Sequence, residues 1–114
     1  MAFDRMDRIS EEVRRAVDAI IREDVRDPRV LGTFSIVRAE VTRDMKFCKL
    51  RVSVLEAERR KDFLTALKSA SGYIRRELSR RVLLRNTPEL IFELDNNIEY
   101  AARIEQLLKE DDPQ

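Results

Sequence analysis

Arg75, Arg76, Arg80, Arg81 and Arg85 fall within eleven consecutive positions, and Glu77 is the only acid among them. Arginine presents planar N–H donors that grip phosphate oxygens two at a time, so a cluster of this kind suits a polyanion. Arg76 and Arg80 stand four residues apart, where like charges cost a helix roughly 0.2–0.5 kcal/mol. A sequence shaped by stability alone would alternate signs there. The whole chain shows the same bias beneath a net charge of +1: residues 43–86 carry 13 Lys or Arg against 5 Asp or Glu, residues 87–114 carry 2 against 8, and residues 1–42 carry 8 against 9. A basic middle repels itself unless something anionic neutralises it, and nucleic acid is the commonest such partner. Two other neutralisers stay open at this point: the acidic C-terminal region of the same chain, and an acidic partner protein.

Other chemistry finds little footing. Histidine is absent, which removes the usual proton shuttle near neutral pH and the commonest transition-metal ligand. Cys48 is the single cysteine; it falls at an apolar strand position with no histidine to activate it, so it reads as a buried structural thiol. Paired carboxylates occur at Glu93 with Asp95 and at Asp111 with Asp112. Asp95, Asn97 and Glu99 imitate the start of a calcium loop, yet Tyr100 stands where that loop requires glycine, and helix capping accounts for them better. Gly32 and Gly72 are isolated, so no glycine-rich phosphate loop exists. Phe34, Phe47, Phe63, Tyr73 and Phe92 fall mostly at core spacing, which argues for recognition of backbone and shape over base stacking. A binding protein is expected, without enzymatic activity, metal or cofactor.

The elements that must position the arginines follow from periodicity. Met6, Ile9, Val13, Val17 and Ile20 recur at spacings of three or four and predict a helix over 4–24, with Asp27-Pro28 closing it. Residues 34–41 and 47–55 read as two strands; Cys48, Leu50, Val52 and Val54 share one face, and Lys49, Arg51 and Ser53 the other. The short polar link 42–46 predicts an antiparallel hairpin. Phe63, Leu67, Ala70, Ile74, Leu78 and Val82 mark a helical stripe interrupted at Ser69-Ala70-Ser71-Gly72, where glycine and two serines predict a kink. The kink and the arginines after it would form one site, with backbone N–H groups of the second helix adding to it. Pro88 opens a third strand, and Asn96 with Glu99 resembles a capping box for a last helix carrying Ile98, Ala101, Ile104 and Leu108.

The predicted order is α-β-β-α-kink-α-β-α, an α+β domain whose three-stranded sheet is covered by helices on one face. Residues 1–109 make the domain and residues 110–114 a short acidic tail expected to fray. No apolar run approaches the roughly 20 residues that span a bilayer, and residues 1–10 show no signal-peptide core, so a cytoplasmic protein away from membranes is expected. The lone cysteine agrees with a reducing compartment.

Several phrases resemble the bacterial ribosome-binding factor A family: Asp27-Pro28-Arg29; Ala70-Ser71-Gly72-Tyr73-Ile74-Arg75-Arg76-Glu77-Leu78; and Leu84-Arg85-Asn86-Thr87-Pro88-Glu89-Leu90-Ile91-Phe92. The resemblance runs over nearly the whole chain. It implies a type II KH-like fold in which Ser69-Ala70-Ser71-Gly72 takes the place of the GxxG loop that clamps single-stranded RNA in KH domains. Only the last glycine of that loop is kept, and the stretch matches the family's own Ala-x-Gly kink. The resemblance further implies association with the free 30S ribosomal subunit, late 30S maturation, and efficient 16S rRNA processing near the 5'-terminal helix region. The residues expected at the RNA are Ala70, Ser71 and Gly72 by motif; Arg75, Arg76, Arg80, Arg81 and Arg85 by charge; Lys46, Lys49 and Arg51 on the hairpin; and Arg5 and Arg8 on the first helix. The chain is expected to act as a monomer, and the reading from another class is a basic protein-interaction module.

Overall fold

The structure, a computed structural model, describes residues 4–95. Helix α1 (Arg5–Asp24) opens on Asp4, whose carboxylate accepts the Asp7 N–H at 2.8 Å while the Asp7 carboxylate accepts the Asp4 N–H at 3.3 Å. Two aspartates thus build a reciprocal cap and satisfy donors that the first turn leaves free. Val13, Val17, Ile20 and Ile21 are buried along one stripe, with Met6 and Ile9 packed against the same core. The helix stops at Asp24, before the proline dipeptide expected to end it, and Val25 is already extended. Asp27 instead folds a turn, accepting the backbone N–H of Arg29 at 2.9 Å and its guanidinium at 2.7 and 3.1 Å. That guanidinium holds the Asp27 carboxyl down at about 2.

Strands β1 (Phe34–Val41) and β2 (Phe47–Val54) pair antiparallel, and β3 (Glu89–Leu94) pairs parallel to β2, in the order β1-β2-β3. In the hairpin turn the Asp44 carboxylate accepts the Thr42 hydroxyl at 2.6 Å and the Lys46 N–H at 3.0 Å. Met45 takes a left-handed φ of +63° in that turn, and its side chain is buried. The register slips between Ile36 and Arg38, a bulge at Val37, which turns Ile36 and Ala39 both toward the core in place of strict alternation. Cys48, Leu50, Val52 and Val54 are all buried, as their shared face requires. Ser53 is only 6 % exposed although it belongs to the face opposite them, being a short side chain in the central strand.

A parallel pair needs a crossover, and here it consists of a short 3-10 turn (Ala57–Arg59), helix α2 (Arg60–Ser69) and helix α3 (Ser71–Arg81). Phe63, Leu67, Ile74 and Leu78 join the α1 stripe over the buried face of the sheet, and the Phe34 and Phe63 rings meet at 4.8 Å. The helices break at Ala70, with φ −89° and ψ 1°. Gly72 therefore does not make the kink: it lies one position inside α3 and needs no left-handed backbone. The serines contribute as expected at one position, where the Ser71 hydroxyl donates to the Lys68 carbonyl at 2.8 Å. The result is an α+β domain with its helices on one face of a mixed three-stranded sheet. The predicted last helix and the tail lie outside the described residues.

Candidate nucleic-acid interface

Residues 72, 75, 76 and 79 recur at the helical spacing that puts them on one side of α3. Together with Asn86 and Thr87 of the following loop they line an open groove of about 330 Å³. Three contacts fix the loop: Arg75 donates from Nε and Nη2 to the Thr87 carbonyl at 3.3 and 2.8 Å, Asn86 Nδ2 donates to the Met45 carbonyl at 3.1 Å, and Glu89 N–H donates to the Lys46 carbonyl at 2.9 Å. Arg75 is thereby a wall of the groove as well as a charge in it. Arg76 has no ion-pair or hydrogen-bond partner for its side chain among the described residues. Arg80 reaches Glu77 at 3.4 Å but stays 69 % exposed, a geometry worth little in water. A Cβ added at Gly72 would find no heavy atom within 4 Å, so the helix surface beside Arg76 is bare. No side chain caps the start of α3.

The structure turns Arg81 elsewhere. Its guanidinium meets Asp24 at 2.7 Å and Glu23 at 3.3 Å, at the C-terminal end of α1. That pairing neutralises Arg81 and ties α3 to α1. Arg5, Arg8 and Arg85 gather instead around a second, larger groove, of about 690 Å³, between α1, the hairpin turn and the loop after α3; Arg43 joins them there. Lys46 is exposed in the hairpin turn. Lys49 and Arg51 lie on the side of the sheet away from the helices, where Lys49 meets Glu93 at 3.7 Å, Arg51 is the register partner of Glu93, and Arg38 pairs with Glu40 at 2.9 Å. That surface is a checkerboard of signs. The candidates thus occupy several surfaces, and only Ala70, Ser71, Gly72, Arg75, Arg76 and Arg80 share the kink and outer side of α3.

Ser79, Asn86 and Thr87 also line the groove and carry no charge, so charge alone does not single them out. Ser79 could have been found as the position seven after Gly72, and Asn86-Thr87 sit inside one of the phrases that carry the family resemblance. Cys48 offers no competing chemistry, since burial pushes its thiol up to about 12. Among the described residues no group of His, Cys, Asp or Glu is placed to hold a metal ion, and no helix is long and apolar enough to cross a membrane.

Comparison with known proteins gives a consistent result. The family model for ribosome-binding factor A matches residues 5–108. The ribosome-binding factor A of Caldanaerobacter subterraneus subsp. tengcongensis is 47% identical over 108 residues, covering 93% of this chain and 88% of the relative. That of Acetivibrio thermocellus is 48% identical over 109 residues, covering 95% and 89%. Among solved structures, the solution structure of a Thermotoga maritima ribosome binding factor A homologue superimposes with a TM-score of 0.73 at 26% identity, over 87% of this chain and 94% of that one. A homology model of Thermus thermophilus ribosome binding factor A, as fitted into a cryo-EM map of a 30S complex, gives a TM-score of 0.62 at 24% identity, over 75% and 90%, which is a likeness of fold. The chain belongs to the ribosome-binding factor A family.

Proposed function

We propose that this chain binds the free 30S subunit by laying the outer side of α3 against the 16S rRNA backbone, and that it thereby assists late 30S maturation and 16S rRNA processing near the 5'-terminal helix region. The observation that carries this reading is the bare surface at Gly72 beside the unpaired guanidinium of Arg76. A phosphate can approach a helix most closely where no side chain stands, and an arginine without an acid retains all its donors for it. Arg75 and Asn86 set the width of the groove, and Ser79 and Thr87 add neutral polar atoms to its lining. The family to which the chain belongs supports the choice of partner, as does the homology model of its Thermus relative fitted into a map of a 30S complex. Nothing in this mechanism makes or breaks a covalent bond; affinity comes from counterion release and position from shape. The protein would act in the cytoplasm as a monomer.

Chemical footprinting of the protein on purified small subunits tests this reading. Protection of 16S rRNA nucleotides that disappears with Arg76→Glu is the expected result; equal protection by the variant would overturn the assignment to α3.

A further inference from the structure

The second groove differs in chemistry from the first. The α3 groove is lined by glycine, arginine and small polar residues. The groove between α1, the hairpin turn and the loop after α3 has an apolar floor of Met6, Ile9, Met45 and Leu84, with Leu83 on its wall. Leu83 is fully exposed, at 101 %, although it follows directly on the packed end of α3. Around this apolar strip stand Arg5, Arg8, Arg43 and Arg85, with Glu12 the only acid in the lining, and none of the four guanidiniums has a partner among the described residues.

Phosphate backbone would use the arginines and leave the leucine and methionines wet. A protein surface would use both, since interfaces place apolar anchors at the centre and arginine among the groups that rim them. Methionine floors adapt to the anchor they receive. The groove runs along positions 5–12 of α1, two helical turns or about 10 Å, which matches the contact stripe of a second helix laid beside it. We propose that this groove receives an acidic amphipathic helix of a partner protein: leucine-like side chains settle between Met6, Ile9, Met45 and Leu83, and flanking carboxylates meet Arg5, Arg8, Arg43 and Arg85. The inference is independent of RNA docking on α3, and the two surfaces could be occupied together.

The test uses the full chain and a fluorescein-labelled synthetic helix of about four turns, with leucines at i, i+3, i+4 and i+7 and glutamates on its flanks, read by anisotropy and by NMR shifts of the Met6, Met45 and Leu83 methyls. Saturable binding is expected, weakened about tenfold or more by Leu83→Asp and by Arg8→Glu with Arg43→Glu, and unchanged by Arg76→Glu. Leu83 is exposed, so Leu83→Asp should leave the circular dichroism spectrum alone. A 16S rRNA fragment measured in parallel should be insensitive to Leu83→Asp. The proposal is overturned by absence of binding up to about 1 mM peptide, by methyl shifts elsewhere, or by an RNA affinity that falls with Leu83→Asp as the peptide's does. It is equally overturned if the peptide binds only after residues 96–114 are removed, which would make the chain's own acidic end the occupant.

Discussion

Helices α1 and α3 are both rich in arginine, and they use it in opposite ways. In α1 the acids lie one turn before the bases: Glu11 holds Arg14 at 2.6 Å and Arg15 at 3.2 Å, and Asp18 pairs with Arg22. This order of signs along a helix is the favourable one. Having been aimed, these side chains reach the outer edge of β1: Arg14 donates to the Ile36 carbonyl at 3.1 Å, Arg22 donates to the Phe34 carbonyl at 2.7 Å, Asp18 accepts the Ile36 N–H at 3.2 Å, and Ser10 accepts the Val41 N–H at 3.1 Å. The arginine of Arg22 also lies over the Phe34 ring at 4.2 Å. An edge strand that could template aggregation is thereby covered. In α3 the helix's own single acid, Glu77, stands among four arginines and reaches only Arg80, while Arg81 pairs with acids of α1 and Arg75 holds the Thr87 carbonyl, so that Arg76 is left without a partner among the described residues. The number of arginines does not tell the two helices apart; what differs is the placement of acids a turn away, present in α1 and lacking around Arg76, the residue proposed to meet RNA.

The largest effect should come from the α3 side of this contrast. Reversing Arg76 and Arg80 to Glu is expected to lower association with free small subunits about 100-fold or more, and to flatten its dependence on salt by about one unit of log–log slope per lost phosphate contact. Thermal melts should be unchanged, because neither side chain holds the fold. Retained binding would reduce α3 to the status of α1.

Arg14→Ala should do the reverse. It strips a donor from the Ile36 carbonyl and leaves Glu11 with Arg15 alone, a loss of about 1–3 kcal/mol, seen as a Tm lower by about 4–8 °C per kcal/mol in a domain of this size. Subunit binding by the folded fraction should stay at the wild-type level. A variant that melts normally would show that edge coverage contributes nothing here.

Gly72 sharpens the comparison at smaller scale. Gly72→Ala is expected to raise stability by up to about 1 kcal/mol, since the position is helical and space is open around it. Gly72→Leu should also fold, yet bind subunits about tenfold more weakly by standing where the phosphate must come. Equal affinity of both variants would place the contact away from the kink.

The smallest effect concerns pH. Arg14 chiefly, by its hydrogen bonds, holds the Glu11 carboxyl down at about 2 from its ordinary 4.5. A depressed carboxylate contributes stability that is present above its unfolded pKa and lost as pH falls through the folded one, here between about 4.5 and 2. The side chain is 37% exposed, so solvent screens much of it. Urea melts from pH 5 to 2 should show Glu11→Gln losing less stability with acid than the wild type.

Most of the fold was legible in the sequence because its elements bury one face each. The α1 stripe, the alternation in β2 and the punctuation at 42–46 and 88 all follow from periods of 3.6 and 2 and from turn chemistry. The break in the crossover is legible too: it falls at Ala70, inside the Ser69-Ala70-Ser71-Gly72 stretch, with Ser71 contributing and Gly72 merely tolerated inside α3, since composition does not distinguish a helix that needs glycine from one that tolerates it. Pairing directions and registers were less accessible. That β3 runs parallel to β2 sets Glu93 beside Lys49 and Arg51, and this register gives a surface of mixed sign around two residues expected at the RNA. Arg81 illustrates the same limit, because its acids, Glu23 and Asp24, stand more than fifty residues away in sequence and belong to another helix.

The parallel junction of β2 and β3 also has a kinetic consequence. The hairpin of β1 and β2 closes through neighbours in sequence, whereas the rung between Glu89 and Lys46 closes a loop that contains both crossover helices. Contacts across that separation arrive late in folding. The loop holding Asn86 and Thr87 is pinned beside the same rung, so the wall of the α3 groove depends on contacts that span the whole crossover. The arginines of α3 are present in any chain that has made the helix, but the groove beside them exists only where the long-range rung has closed.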